Sequence, residues 1–122
     1  MEKRELIEYC LTYLSSYEDY PFDDGAAHAD DGAWTVMRYG ANKKGFAHIY
    51  KRNGQLCVNL KCEPNEADIL RHIYKDVTPG YHMNKDHWNT VVIGGDVPDD
   101  ELKLMIERSY NLIKPKIRRK TL

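Results

Sequence analysis

The chain reads as a two-layer α+β domain: an antiparallel sheet with helices packed on one face. Three observations predict it. Gln55 to Lys61 alternates cleanly, with Leu56, Val58 and Leu60 on one side and Gln55, Cys57, Asn59 and Lys61 on the other, the pattern of a strand with one face packed and the other open to something polar. Arg52-Asn53-Gly54 precedes it, and Asn-Gly readily takes the positive φ of a hairpin turn. Apolar residues recur at helical spacing before, between and after the strand patterns, and such helices must cover the sheet's apolar face.

The elements follow in order. Glu2 to Ser16 is predicted as a helix, with Ile7, Cys10, Leu11 and Leu14 inward. Tyr17 to Ala33 holds Pro21 and many Asp, Gly and Ala residues, which marks a loop. Trp34–Tyr39, Phe46–Lys51 and Gln55–Lys61 are predicted as strands. Pro64 suits a first helical turn because its missing N–H is not needed there, and the helix runs on to Tyr74 with Ala67, Leu70, Ile73 and Tyr74 buried. Val77 to Asp86 reads as a loop and Trp88 to Ile93 as a fourth strand, ended by Gly94-Gly95. Pro98 opens a last helix whose first turn carries Asp99, Asp100 and Glu101, favourable at its positive end. Leu102, Met105, Ile106, Ser109, Tyr110 and Ile113 face inward, Ser109 with its hydroxyl on the preceding turn, and Pro115 stops the helix. The expected core is Leu11, Leu14, Val36, Val58, Leu60, Leu70, Val91, Ile93, Met105 and Ile106.

At 122 residues one domain (1–122) buries a core without disulfides or metal. Its basic tail, 115–122, is expected to fray. The three cysteines, Cys10, Cys57 and Cys62, are odd in number, which fits reduced thiols rather than a disulfide framework. The first residues lack the apolar core of a signal peptide, and no apolar run is long enough to span a bilayer. A cytoplasmic protein is expected, with no membrane association and the oligomeric state left open.

The net charge of −1 conceals segregation. Tyr17 to Met37 holds six acids and no Lys or Arg; Arg38 to Cys62 holds six bases, Arg38, Lys43, Lys44, Lys51, Arg52 and Lys61, and no acid. Either part of the surface is locally positive, or the acidic loop folds over the basic strands and cancels them.

Pro79 to Thr90 is chemically the densest stretch. Tyr81, His82, Asn84, Lys85, His87 and Trp88 lie close together, residue types used equally by a recognition loop and by a well-packed turn. His82 and His87 are five apart, as are Cys57 and Cys62, wider than zinc-finger spacing. His28 lies loosely among Asp24, Asp30 and Asp31. No Gly-x-Ser-x-Gly elbow or phosphate-binding Gly-rich loop is present, and a Cys57–His48 pair is weighed against the ordinary fate of cysteine as a small buried apolar group. The expectation is no metal, no cofactor and no catalytic site.

Five blocks carry a resemblance over nearly the whole length: Tyr20-Pro21-Phe22, Lys44-Gly45-Phe46-Ala47, Asn59-Leu60-Lys61-Cys62-Glu63-Pro64, Pro79 through Trp88, and Ser109-Tyr110-Asn111-Leu112. In them the chain resembles the MmcQ/YjbR family of small bacterial proteins. The resemblance implies a curved antiparallel sheet, likened to double-wing and secretion-chaperone-like folds, and a label of DNA binding. The acidic loop Asp23 to Gly32 departs from shorter relatives. The residues supply their own case for DNA: bases on strands and hairpin tips can neutralise phosphates, and Tyr39, Tyr50, Tyr81 and Trp88 can stack on unpaired bases. The expected function is weak, largely sequence-independent DNA binding through the six bases. The alternative is a non-catalytic adaptor that docks a protein partner through the Asn59–Lys61 face and the Tyr81–Trp88 loop.

Overall fold

The computed structural model describes residues 1–22 and 33–115. The elements are α1 (Lys3–Leu11), β1 (Ser16–Asp19), β2 (Thr35–Tyr39), β3 (Gly45–Arg52), β4 (Gln55–Lys61), α2 (Pro64–Ile73), β5 (Val77–Pro79), β6 (Trp88–Val92) and α3 (Asp99–Ile113). The strands form one antiparallel sheet in the order β1-β2-β3-β4-β6-β5. The α+β class is as expected. Two strands are additional: β1 and β5 fall in stretches that read as loops. Both are short edge strands with charged or turn-forming residues, so neither carries an alternation long enough to recognise.

Three helices cover one face of the sheet. Leu6, Ile7 and Cys10 of α1 and Met105, Ile106 and Tyr110 of α3 meet Met37, Phe46, Ile49, Val58, Leu60 and Val91 in one buried cluster. Ser109 is fully buried, and its hydroxyl bridges α3 to the sheet, donating to the Phe46 carbonyl at 2.6 Å and accepting from the Lys61 amide at 2.8 Å. It does not bond its own helix, because those two strand groups lie within reach where the β3–β4 ladder nears its end.

Helix α1 stops five residues short of the predicted end. Ser16 Oγ turns back onto the carbonyls of Cys10 and Tyr13, and Ser15 takes φ +61°. Helical spacing therefore no longer governs Leu14, which is 80% exposed, and Leu11 is only half-buried. Ile73 at the end of α2 is likewise exposed, and Tyr74 and Ile93, each just past an element, are half-buried. The Asn53-Gly54 hairpin forms as expected, with positive φ at both residues.

Strand β4 departs from its expected two-sided character. Leu56, Val58 and Leu60 pack toward the helices. Cys57 and Asn59, on the opposite face, are also buried, Asn59 completely. Something covers that second face, and it is the sequence's densest segment.

Candidate functional site: an aromatic concavity on the second face

The segment joining β5 to β6, residues 80–87, folds back across the sheet. It begins with a tight turn from Gly80 to Met83, closed by the Met83 amide on the Gly80 carbonyl, with His82 at φ +60°. Gly80 is required by close approach, since a Cβ there would lie 2.7 Å from Trp88 Cβ and 3.0 Å from the Trp88 carbonyl. The turn is seated on a buried polar network. Asn59 Oδ1 accepts from Tyr50 OH at 2.7 Å and from Thr90 Oγ1 at 2.6 Å, while Asn59 Nδ2 donates to the Tyr81 carbonyl at 2.9 Å. Thr90 Oγ1 in turn accepts from the Tyr81 amide at 2.9 Å. Both backbone groups of Tyr81 are thereby satisfied by sheet side chains.

The rest of the segment is held from α2. Arg71 donates to Asn89 Oδ1 at 2.6 Å, to the Trp88 carbonyl at 3.2 Å and to the Lys85 carbonyl. Lys85 Nζ donates to the Gly80 carbonyl, Asn84 Oδ1 accepts from the Asp86 amide, and the His87 carbonyl accepts from the Cys62 amide. The loop is thus ordered by its own contacts, as its composition predicts. Lys85, Asn84 and His87 serve that order; Tyr81 and His82 face the site.

Side chains alternate along β3, so His48, Tyr50 and Arg52 form one row on the second face. Trp34, just before β2, stacks on Tyr50 with ring centres 4.2 Å apart and planes 4° from parallel. Tyr81 stands 5.7 Å from Tyr50, and the Arg52 guanidinium lies 3.9 Å over the Tyr81 ring. Phe22, 78% exposed, meets Trp34 edge-on at 6.2 Å. With His82 and Met83 these residues line an open concavity of about 480 Å³. Trp88 lies on the same face, edge-on to His48 at 5.4 Å, half-buried and outside the helix-side core.

Burial governs the chemistry. His48 is held neutral, its pKa pulled down to about 4 by burial and then by Arg38. Its Nδ1 accepts from Trp34 Nε1 at 3.2 Å, which places the ring proton on Nε2. Burial raises the Cys57 thiol above its ordinary range, and Sγ points to the Gln55 carbonyl. His48 pairs across the strands with Asn59 and Cys57 with Tyr50, so these two residues form no hydrogen-bonded nucleophile pair.

The six expected phosphate-binding bases do not form one surface. Arg38 is committed to Asp19 at 2.7 Å and to the Lys43 carbonyl at 2.8 Å. Lys43 and Lys44 are exposed in the β2–β3 turn, whereas Lys51 and Arg52 lie at the other end of β3. Eight residues of strand separate those tips by roughly 23 Å. Lys51 also faces the helix side, beside Met1–Arg4 and Leu56. Half-buried Lys61 pairs with Trp88 at the end of β4. Arg52 joins the aromatic concavity, and Lys51 lines it as well. The acidic stretch 23–32, its His28, and the tail bases 116–120 lie outside the described residues. Among the described residues no three His, Cys, Asp or Glu side chains converge as metal ligands, and His82 and His87 serve different parts of the loop. No helix among them is long and apolar enough to cross a membrane.

Trp34 and His48 are candidate-site residues that the sequence analysis does not place here, Trp34 standing there as the start of a strand and His48 as a partner weighed for Cys57. Asn59, expected on an exposed docking face, is instead buried beneath the loop. The signal for His48 is the i, i+2, i+4 row His48-Tyr50-Arg52, two rings and a guanidinium on one strand face.

An open six-stranded antiparallel sheet with three helices packed against it is an α+β fold shared with solved structures. The YjbR family model matches residues 11–112, and the chain belongs to the YjbR family. It is 31% identical over 106 residues to YjbR of Escherichia coli, covering 87% of this chain and 81% of that protein. It is 27% identical over 124 residues to YyaQ of Bacillus subtilis, covering 93% and 99%. Both are described as uncharacterized. A crystal structure of a Pseudomonas syringae protein superposes with a TM-score of 0.78 at 27% identity, covering 93% of this chain and all of that one. One from Deinococcus radiodurans gives 0.74 at 30% identity, covering 90% and 76%.

Proposed function

We propose that the chain is a non-catalytic nucleic-acid-binding module that takes unpaired strand on the aromatic face of its sheet. The observation that carries this reading is the Trp34–Tyr50 stack beside Tyr81 and its overlying Arg52, in an open concavity. Stacking on such rings is tolerant of base identity and contributes about 1–3 kcal/mol per base, and a cation beside the rings supplies a phosphate partner. This refines the expectation of DNA binding through hairpin tips. Tips at opposite ends of β3, with Arg38 already paired, suit a single groove poorly. The site is assigned no chemical step, since His48 is neutral with one nitrogen engaged and the neighbouring thiol is raised.

The test is titration of a labelled twelve-residue single strand and the corresponding duplex across a range of salt. The single strand is expected to bind at least about tenfold more tightly, since one extra stacked base suffices for that. With about two phosphates contacted, log K against log salt should fall with slope roughly −1.4. Equal or tighter duplex binding would overturn the reading. An adaptor role is the second reading. It is favoured by Ile69 and Ile73, both exposed and one turn apart on α2, a pattern that suits a protein partner.

A further inference from the structure

The dimensions and chemistry of the concavity specify more than strand binding. We infer, building on the reading above, that it is a one-nucleotide site: it takes a single flat base together with that nucleotide's own phosphate. Its volume, about 480 Å³, lies toward the lower end of the roughly 300–1,000 Å³ of small-ligand clefts. One nucleotide fills such a space, whereas a run of stacked bases needs an extended groove.

The walls select a planar ring. Trp34, Tyr50 and Tyr81 present π surfaces, and Met83 adds a polarisable thioether, which packs well on aromatic edges. Two basic residues, Lys51 and Arg52, line the concavity beside them, and Arg52 is the one stacked on a ring. Arg52 is exposed and makes no hydrogen bond or ion pair among the described residues. Its guanidinium is nonetheless held in place, because it lies over the Tyr81 ring at 3.9 Å. A guanidinium over a ring keeps its N–H donors in its own plane, free for the bidentate recognition that phosphate oxygens accept. Two of the polar atoms nearest the rings are engaged: Tyr50 OH is bonded to Asn59, and His48 Nδ1 accepts from Trp34. The guanidinium distinguishes nucleotide from nucleoside, and recognition dominated by ring stacking tolerates any base.

The test follows the Trp34 indole N–H by nuclear magnetic resonance, assigned by comparison with Trp88→Phe. The probes are deoxyadenosine and thymidine 5′-monophosphates, the two nucleosides, inorganic phosphate and a twelve-residue oligothymidylate. Both monophosphates are expected to shift the Trp34 signal with Kd of roughly 0.1–1 mM and to differ from each other by under about threefold. Each nucleoside should bind about tenfold more weakly than its monophosphate, the increment of one charge-assisted contact. In Arg52→Gln that gap should close with the melting temperature unchanged, since the side chain is exposed. Nucleoside and monophosphate binding alike would overturn the inference, as would inorganic phosphate matching the monophosphates. If the oligothymidylate binds and no monomer does, the one-nucleotide site is wrong while strand binding stands. If neither binds, both fall.

Discussion

Asn59 is the residue on which the second face is built. It is completely buried, with Oδ1 and Nδ2 both committed to Tyr50, Thr90 and the Tyr81 carbonyl. Replacing it by Leu leaves two hydroxyls and a carbonyl to find other partners in a dry place, at a cost of about 2–4 kcal/mol. Urea denaturation of Asn59→Leu checks this, and amide exchange in residues 80–87 should accelerate more than exchange in α3. His48 gives a pH-dependent counterpart. Its pKa falls from the ordinary 6.5 to about 4 on folding, so the unfolded chain takes up the proton first. The contribution is fully present above pH 6.5, declines as pH falls toward 4, and amounts to at most about 3 kcal/mol. The loss of stability between pH 7 and 4.5 should be smaller in His48→Gln, which retains an acceptor for Trp34. Neither role is legible from composition: an alternating strand shows which face a residue occupies, not that a distant loop will bury that face.

At the scale of elements, the loop 80–87 carries both order and strain. His82 sits at φ +60°, a conformation that costs a non-glycine residue about 1 kcal/mol or more. His82→Gly should therefore hold or raise stability by up to about 1 kcal/mol while weakening ligand binding, because its ring leaves the concavity. Gly80→Ala should do the opposite to the fold, lowering the urea midpoint, since its Cβ meets Trp88 at 2.7 Å. Trp88→Ala should cost about 1.5–3 kcal/mol by denaturation, less than a fully buried aromatic loses, because Trp88 is only half-buried. The legible elements were those with clear patterns: β2, β3, β4, β6, α2 and α3 fall within one or two residues of expectation. The edge strands β1 and β5 were hidden by brevity. Helix α1 reads too long because Leu11 and Leu14 keep its spacing, while Ser15 and Ser16 have already turned the chain.

At the scale of the whole molecule, a run of six bases without an acid does not become a basic surface. Strand geometry sends Lys43 and Lys44 to one end of β3 and Lys51 and Arg52 to the other, and Asp19 neutralises Arg38. Counting charge along the sequence hides this, because hairpin tips that are neighbours in sequence point in opposite directions. The rings tell the reverse story, since Phe22, Trp34, Tyr50 and Tyr81 are scattered over sixty positions and converge only when the sheet closes. Family, fold and the ordering of the Pro79–Thr90 segment by its own contacts were therefore readable, and the pocket was not. The claim that this aromatic face, rather than the distributed bases, is the binding surface is tested most directly by single-strand titration of two charge-reversed variants. Arg52→Glu should weaken binding by about tenfold or more, and Lys43→Glu/Lys44→Glu should stay within about twofold of the parent. The reverse ranking would contradict the account.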